Sequence, residues 1–491
     1  MSNTKEVQDR SRLQQIARQA MIDRRLLPDF SVQAIDQLNG MDSNISKFEE
    51  STQDLRNLLW CSIDNDDSND LDQLTTAIEM SEGATKIYIA IADVDAFVKK
   101  SSAIDDHAKH NATSVYTAAQ IFPMLPEKIS TDITSLNYEE DRFALVVEII
   151  IAEDGSMQSS QIYKAIVRNH AKLAYNSVAA WLEGSGPMPE AISAVNGLAE
   201  NILLQNQVAK KLKALRHMHG ALDFETIKAR PVFHEDKIKD LEVEKRNSAK
   251  DIIEDFMIAA NSVTAQYLTA KNFPSIRRVV RKPKRWERIV ELAGELNFIL
   301  PKEPDSKALD QFLVLSKAAD PLHFPDLSLS IIKLLGPGEY VVELPGEDSI
   351  GHFGLAVKDY AHSTAPNRRY PDLITQRLLK AAIAGNSIPY ENDELVTLAK
   401  HCTEAENAAQ KVERQVEKSA AAILLESRIG ETFDAIITGA SDKGTWVRLL
   451  HPPIEGRLQG NFEGEDIGLR LRVQLIRVDV ERGYIDFKKV R

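Results

Sequence analysis

Apolar side chains near the start of the chain recur at helical spacing. Leu13, Ile16, Ala17, Ala20 and Met21 predict an amphipathic helix over roughly 7–25. Pro28 closes that region. Val32, Ile35 and Leu38 then share one face of a shorter helix, with Ser31 placed to cap it and Asn39-Gly40 to stop it. Such a pair is either part of a helix-turn-helix or, more commonly, a helical pair that binds nothing. Further on, Ile87-Tyr-Ile-Ala-Ile-Ala-Asp93 and Val146-Val-Glu-Ile-Ile-Ile151 read as buried strands, the second followed by the turn signal Glu153-Asp-Gly155. From Ala249 to Tyr267 the stripe Ile252, Ile253, Phe256, Met257, Ala260 and Val263 predicts a strong helix. Asn392 to about Glu426 runs without Pro or Gly, as a long closing helix would.

After Gly430 the period changes. Phe433-Asp-Ala-Ile-Ile-Thr, Thr445-Trp-Val-Arg-Leu-Leu, Gly456-Arg-Leu, Leu469 to Val478 and Tyr484-Ile-Asp-Phe give five short strands, the count and size of a small OB barrel. Between the N-terminal helices and this barrel, strands and helices alternate irregularly. No 20–50-residue repeat is visible.

One segment breaks the apolar logic. Ser62-Ile-Asp-Asn-Asp-Asp-Ser-Asn-Asp-Leu-Asp-Gln-Leu74 gathers Asp64, Asp66, Asp67, Asp70 and Asp72 between the apolar Leu58-Leu59-Trp60 and the strand at Ile87. Carboxylates this close repel one another. A divalent cation is the usual reason to collect them, and an acidic surface loop is the plainer alternative. An EF-hand is excluded, because from Asp64 the sixth position is Asn69 and the twelfth Thr75, where Gly and Glu are needed.

The 491 residues predict two to four domains. At 43% hydrophobic and 27% charged, the composition is that of a globular protein. No apolar stretch is long enough to span a bilayer, the N-terminus lacks an apolar signal core, and Cys61 and Cys402 form no metal-type pair; a reducing cytoplasm is expected. A net charge of −13 argues against indiscriminate coating of nucleic acid but not against a local basic channel, for which Arg277 to Arg288 is the candidate patch, with a solvated basic face as its alternative.

Five stretches then occur in order: the acidic loop; the Ile-Ala-Ile-Ala-Asp93-Val strand; Pro123-Met-Leu-Pro126 with Ser130, Ser135-Leu136 and Asp141-Arg142; Ile253 to Asn261; and His352-Phe-Gly-Leu with Tyr360, Thr364-Ala-Pro366-Asn-Arg368-Arg369-Tyr370-Pro-Asp372. Together they resemble the RNB catalytic domain of the ribonuclease II family, processive metal-dependent enzymes that digest single-stranded RNA from its 3′ end. The resemblance covers about 55–425, and the barrel is similar to the S1-like domain that follows RNB in that family. The expected architecture is a mixed α/β (α+β) catalytic domain over 54–426, preceded by a helical module over 1–53 and followed by an S1-like OB fold over 427–491.

The resemblance implies metal-site aspartates at Asp64, Asp70 and Asp72, with Asp70 and Asp72 in the catalytic centre beside a catalytic arginine, Arg368. Where many members carry a further acid this chain has Gln73, whose amide oxygen still ligates a hard cation but brings no charge. Asp66 and Asp67 are expected to be solvated, and Arg369 to serve in a structural ion pair. Tyr116 matches the aromatic that stacks near the reactive 3′ end, Phe224 one that stacks further along, and Glu254 and Glu413 acidic positions beside the RNA path. In the barrel, Arg470 and Arg472 share a strand face with Trp446 and Phe462 as stacking candidates, whereas Arg477 should face away unless a bulge intervenes.

Two Mg²⁺ ions, or Mn²⁺ in their place, would activate water and hold the scissile phosphate in line. The expected protein is a monomeric exoribonuclease yielding nucleoside 5′-monophosphates, whose N-terminal module contacts RNA or another protein. The competing readings are a catalytically inactive RNB-fold RNA-binding regulator, for which Gln73 speaks, and a DNA-directed two-metal nuclease. The chain departs from typical bacterial members in two ways: the segment ahead of residue 54 is too short for cold-shock barrels, and no lysine-rich tail follows the last strand.

Overall fold

The computed structural model describes residues 9–41, 52–227, 229–243, 246–441, 444–460 and 469–490. Its centre is a seven-stranded sheet in the spatial order Gln53–Asp54, Met157–Arg168, Asp141–Ile151, Thr85–Ala92, Gln73–Glu79, Cys61–Asp64, Ala171–Ala174. The pairings are antiparallel except at the two ends, where Gln53 lies parallel to Ala165 and Cys61 to Ala171. Thr85–Ala92 is buried on both faces, which is why it reads as a continuous apolar run. The hairpin from Asp141–Ile151 to Met157–Arg168 turns at Gly155, where φ is +88° and a Cβ would stand 2.7 Å from the Lys211 carbonyl oxygen, so glycine alone fits.

Helix Ser248–Ala270 crosses the sheet against Cys61–Asp64, Asp141–Ile151 and Met157–Arg168. Helix Asn392–Glu426 forms the spine of the molecule, with the bounds the sequence suggests. The expected N-terminal helices form as Asp9–Asp23 and Val32–Asn39, the second capped by Ser31, whose side chain accepts from the Ala34 N–H. They lie on different partners: Leu13, Ile16 and Ala17 join a core with Val412, Val416 and Ala420 of the spine, while Val32–Asn39 packs on Ala103–Asn111. The expected apolar face of the second helix is buried only in part: Leu38 packs on the main core, but the other two positions do not. Val32 is 71% exposed and Ile35 39%, while Ala34 is buried. Short side chains permit the closer approach.

The C-terminal strands Thr432–Ser441, Gly444–Leu449, Glu455–Gln459, Arg470–Asp479 and Tyr484–Lys489 close into a barrel. Gly456 is required by packing, since a Cβ there would sit 2.4 Å from the Phe487 ring. The barrel core (Phe433, Val473, Leu475, Phe487) continues into Leu425, Val416 and Leu13, so barrel, spine and first helix share one apolar cluster.

Among the described residues, no helix is long and apolar enough to cross a membrane. Four of the five arginines of the basic patch are already matched by carboxylates, and Arg285 donates to the Lys333 carbonyl. Arg277 is buried beside Glu343 at 2.7 Å, Arg278 pairs with Glu406, Arg281 with Glu339 and Arg288 with Glu291, and Trp286 is core. Most of the arginine charge is thus matched, which favours the alternative of a basic face over a channel, with Lys282 and Lys284 exposed beside it.

Candidate active site

The acidic loop joins two adjacent antiparallel strands, with Asp64 the last residue of one and Gln73 the first of the next. It is pinned rather than loose. Leu71 is buried, its N–H donates to Ser135 Oγ at 2.9 Å, and its carbonyl accepts from the Leu136 N–H. Arg142 in turn holds the Ser135 carbonyl at 3.0 Å. Ser135-Leu136 and Arg142, far from the loop in sequence, are therefore its fasteners. Asp66 and Asp67 point into solvent, as expected.

Opposite the loop stands the segment ahead of helix Tyr370–Ala384. Asp72 is 1% exposed; its Oδ1 accepts from the Asn367 N–H at 3.0 Å and its Oδ2 lies 3.2 Å from Arg368 Nε. Arg369 turns away to Asp372 at 2.7 Å, the structural pairing expected of it. Arg368 keeps a side chain 42% exposed beside the buried carboxylate. The Arg368 carbonyl accepts from the Ser114 N–H at 3.0 Å, which brings Tyr116 alongside. The Tyr116 hydroxyl donates to Asp70 Oδ2 at 2.9 Å, and its own N–H donates to Glu413 Oε1 on the spine at 2.9 Å.

Burial pushes the Asp72 carboxyl up to about 7, against the pull of Arg368 and with help from the Asp70 charge; burial also raises Asp64. Tyr175, at the head of helix Tyr175–Leu182, belongs to this site as well. Burial and the charge of Asp64 push its hydroxyl up, with Arg368 pulling the other way. The sequence gives no sign of it beyond an aromatic after a short strand.

Six of the expected residues thus gather at one place, Asp64, Asp70, Asp72, Arg368, Tyr116 and Glu413, and buried Gln73 directly follows Asp72 in the chain. Phe224 and Glu254 gather at another, lining a pocket of about 260 Å³ with Lys213, Arg216 and Arg246 and none of the acidic loop. Arg470 and Arg472 lie on the outer surface of the barrel. A bulge at Ile476 shifts the register between Leu475 and Arg477, so Arg477 is turned outward too, at 66% exposure. Trp446 is half-buried, and Phe462 lies outside the described residues.

The donor set suits a hard cation: three carboxylates, two with carboxyls raised by burial. Its present arrangement does not close round one. Among the described residues no three acidic, histidine or cysteine side chains converge as an ion would need. The reason is visible in the partners: Asp70 is drawn to the Tyr116 hydroxyl, Asp72 to Arg368 and Asn367, and Asp64 to the Asn65 N–H and Ser68.

A mixed sheet with carboxylates facing an arginine at a helix N-terminus, followed by an OB-like barrel, defines the class of protein. The RNB domain matches residues 52–385 and the RNase II-type exonuclease C-terminal S1 domain residues 431–490. The chain belongs to the RNB family. It is similar to Ribonuclease R of Vibrio parahaemolyticus serotype O3:K6, 30% identical over 473 residues, covering 89% of this chain and 56% of that one. It is equally similar to Ribonuclease R of Escherichia coli (strain K12), 30% identical over 473 residues, 89% of this chain and 57% of the relative. The chain therefore spans a little over half the length of these curated relatives. Mycoplasma genitalium RNase R, solved in complex with ribose-methylated single-stranded RNA, superposes with a TM-score of 0.86 at 22% identity, over 98% of this chain and 78% of that one.

Proposed function

We propose that this chain is a metal-dependent, processive 3′→5′ exoribonuclease that hydrolyses single-stranded RNA to nucleoside 5′-monophosphates. The observation that carries the reading is Arg368 standing half-exposed against the buried, protonation-prone Asp72, with Asp64, Asp70 and Tyr116 around them. The aspartates Asp64, Asp70 and Asp72, with Gln73, would hold Mg²⁺ or Mn²⁺. A bound divalent ion supplies Lewis-acid stabilisation and a nucleophile at neutral pH.

The chain's own side chains do the rest. Arg368, planar and permanently charged, neutralises charge growing on the non-bridging phosphate oxygens. The Tyr116 ring, 40% exposed, offers a stacking face beside the carboxylates, and stacking tolerates any base. Glu413 fixes Tyr116 through its backbone. Phe224, in its pocket with Glu254, offers a ring to a base further along the strand, while Lys213, Arg216 and Arg246 there are engaged with Asp251, Asp255 and Asp223. Arg470, Arg472 and Arg477 offer phosphate contacts on the barrel.

The test is incubation with 5′-labelled single-stranded RNA and a matched DNA, with and without Mg²⁺. Metal-dependent shortening of the RNA from its 3′ end, with 5′-mononucleotides released, is expected. Tight RNA binding without hydrolysis at any metal concentration would support the inactive regulator instead. Preferential loss of DNA would support a DNA-directed nuclease.

A further inference from the structure

We propose that helix Phe324–Leu335 is a brace that fixes the barrel relative to Phe224, and that Asp326, Ser328 and Arg448 are positioning residues for retaining RNA. The inference rests on the reading of Phe224 and the barrel as parts of the RNA path.

Two contacts made by neighbouring residues of this helix carry it. Arg448, on barrel strand Gly444–Leu449, meets Asp326 as a two-pronged fork, Nη1 to Oδ1 at 2.6 Å and Nη2 to Oδ2 at 3.1 Å. The pair is largely shielded, with side chains 16% and 5% exposed. Two residues along, fully buried Ser328 accepts through Oγ from the Glu225 N–H at 3.3 Å, and Glu225 directly follows Phe224. Lys317, on the preceding helix Ser306–Ala319, holds the Glu225 carboxylate at 3.1 Å. Phe224 itself packs on the apolar cluster of Trp286, Phe312 and Phe324. A single helix therefore grips the barrel with one residue and the Phe224 backbone with another.

The opposite side of the barrel is held differently. There Phe433 and Val473 share an apolar cluster with Leu425 and Val416 of the spine, and Gly483 lies close against Lys418. The polar contacts on that side, Arg12 to Glu481 at 3.3 Å and Gln415 to the Glu481 carbonyl at 3.4 Å, are solvent-exposed. Apolar contact is non-directional and tolerates rotation. A planar fork on a carboxylate does not. A shielded ion pair is a poor source of stability compared with apolar side chains of similar volume, so its presence here points to orientation. With the fork made, a strand lying on the barrel arginines meets Phe224 in one register. With it broken, the barrel pivots on the spine and the two RNA contacts are no longer aligned.

The test uses the full chain with Arg448→Met, Asp326→Leu and the double variant. Spin labels at Lys302→Cys and Arg482→Cys report barrel position, since both sites are exposed and native Cys61 and Cys402 are buried. In Arg448→Met the label distance should broaden and a long single-stranded RNA should leave the metal-free protein about tenfold faster. Single-turnover cleavage of a short RNA at saturation should stay at the parental rate. The double variant should recover melting temperature but not RNA retention. An unbroadened distance, an unchanged dissociation rate, or retention that returns with stability in the double variant would overturn the proposal. A parental chain that cleaves no RNA would sink the functional reading instead, while the label distances would still decide whether the brace exists.

Discussion

On the proposed function, Asp72 is the residue on which the chemistry would turn. It is buried, its carboxyl sits near neutrality, and its two oxygens already touch Arg368 and the Asn367 N–H. Asp72→Asn keeps shape and removes charge. Hydrolysis should fall more than about a thousandfold, several kcal/mol of lost transition-state stabilisation, with RNA binding nearly intact. Single-turnover rates within tenfold of the parent would refute the assignment. At the neighbouring position, Gln73→Asp adds a charge to the same donor set, so the Mg²⁺ concentration for half-maximal activity should drop; an unmoved or higher midpoint would place Gln73 outside the ligand set. The proposed function gives Tyr116 two separable roles. Tyr116→Ala removes a stacking face worth about 1–3 kcal/mol per base and should lengthen the final product. Tyr116→Phe keeps the face but frees Asp70 of its hydroxyl donor, and should leave product length alone while lowering the Mg²⁺ midpoint. Identical behaviour of the two variants would deny that ring and hydroxyl act separately.

At the scale of elements, the junction between the N-terminal module and the sheet depends on His107. This histidine of helix Ala103–Asn111 stacks on Phe30 with ring centroids 4.1 Å apart, and its Nδ1 is buried without a partner. Burial, with His110 nearby, pushes it down to about 4 from an ordinary value near 6.5. A lowered folded-state value means that the unfolded chain binds the proton more readily. Stability is therefore fully present above about pH 6.5 and is lost as pH falls towards about 4. His107→Gln should shrink the loss of stability between pH 7 and pH 5 by about 1–2 kcal/mol. Parallel pH–stability curves for parent and variant would show that His107 is not the titrating group. The two N-terminal helices are thus fixed onto the spine and onto Ala103–Asn111, and of the face expected to be apolar Leu38 packs inward while Val32 is left in water.

Across the whole molecule, the barrel is joined to the spine and first helix by a shared apolar cluster. Cutting the chain before Ser427 would uncover Leu425 and its neighbours, so the barrel's contribution is better tested at its surface. Arg470, Arg472 and Arg477 all face outward, the last because of the bulge at Ile476. Replacing all three with Ala should weaken RNA binding and flatten its salt dependence by about 0.7 in the log–log slope for each phosphate left without its arginine. Cleavage of short RNA at saturation should be spared. An unchanged slope would show that RNA does not lie on this face.

Local pattern in this chain carried a great deal. The spine helix runs from Asn392 to Glu426 as its composition suggests, because 35 residues without a breaker leave the backbone no reason to stop. Ser31 caps its helix, Gly155 turns its hairpin, and five alternating segments close as a barrel, each following from short-range rules of hydrogen bonding and period. The ordered acidic and arginine-bearing stretches pointed to the RNB family ahead of any geometry, and Arg368 does stand across from Asp72. What lay beyond reach depends on who sits opposite whom. The arginine-rich patch looked free because its partners Glu343, Glu406 and Glu339 lie some 60 to 130 residues away. Arg477 turned outward through one extra residue in a ladder, a choice made by the partner strand. Tyr175 joined the carboxylates, and Asp326 met Arg448, through distances that exist only once the sheet, the helical layers and the barrel have packed. Sequence determines which side chains are available and on what local scaffold they ride; pairing across the fold, which sets charge, burial and approach, is decided by tertiary packing alone.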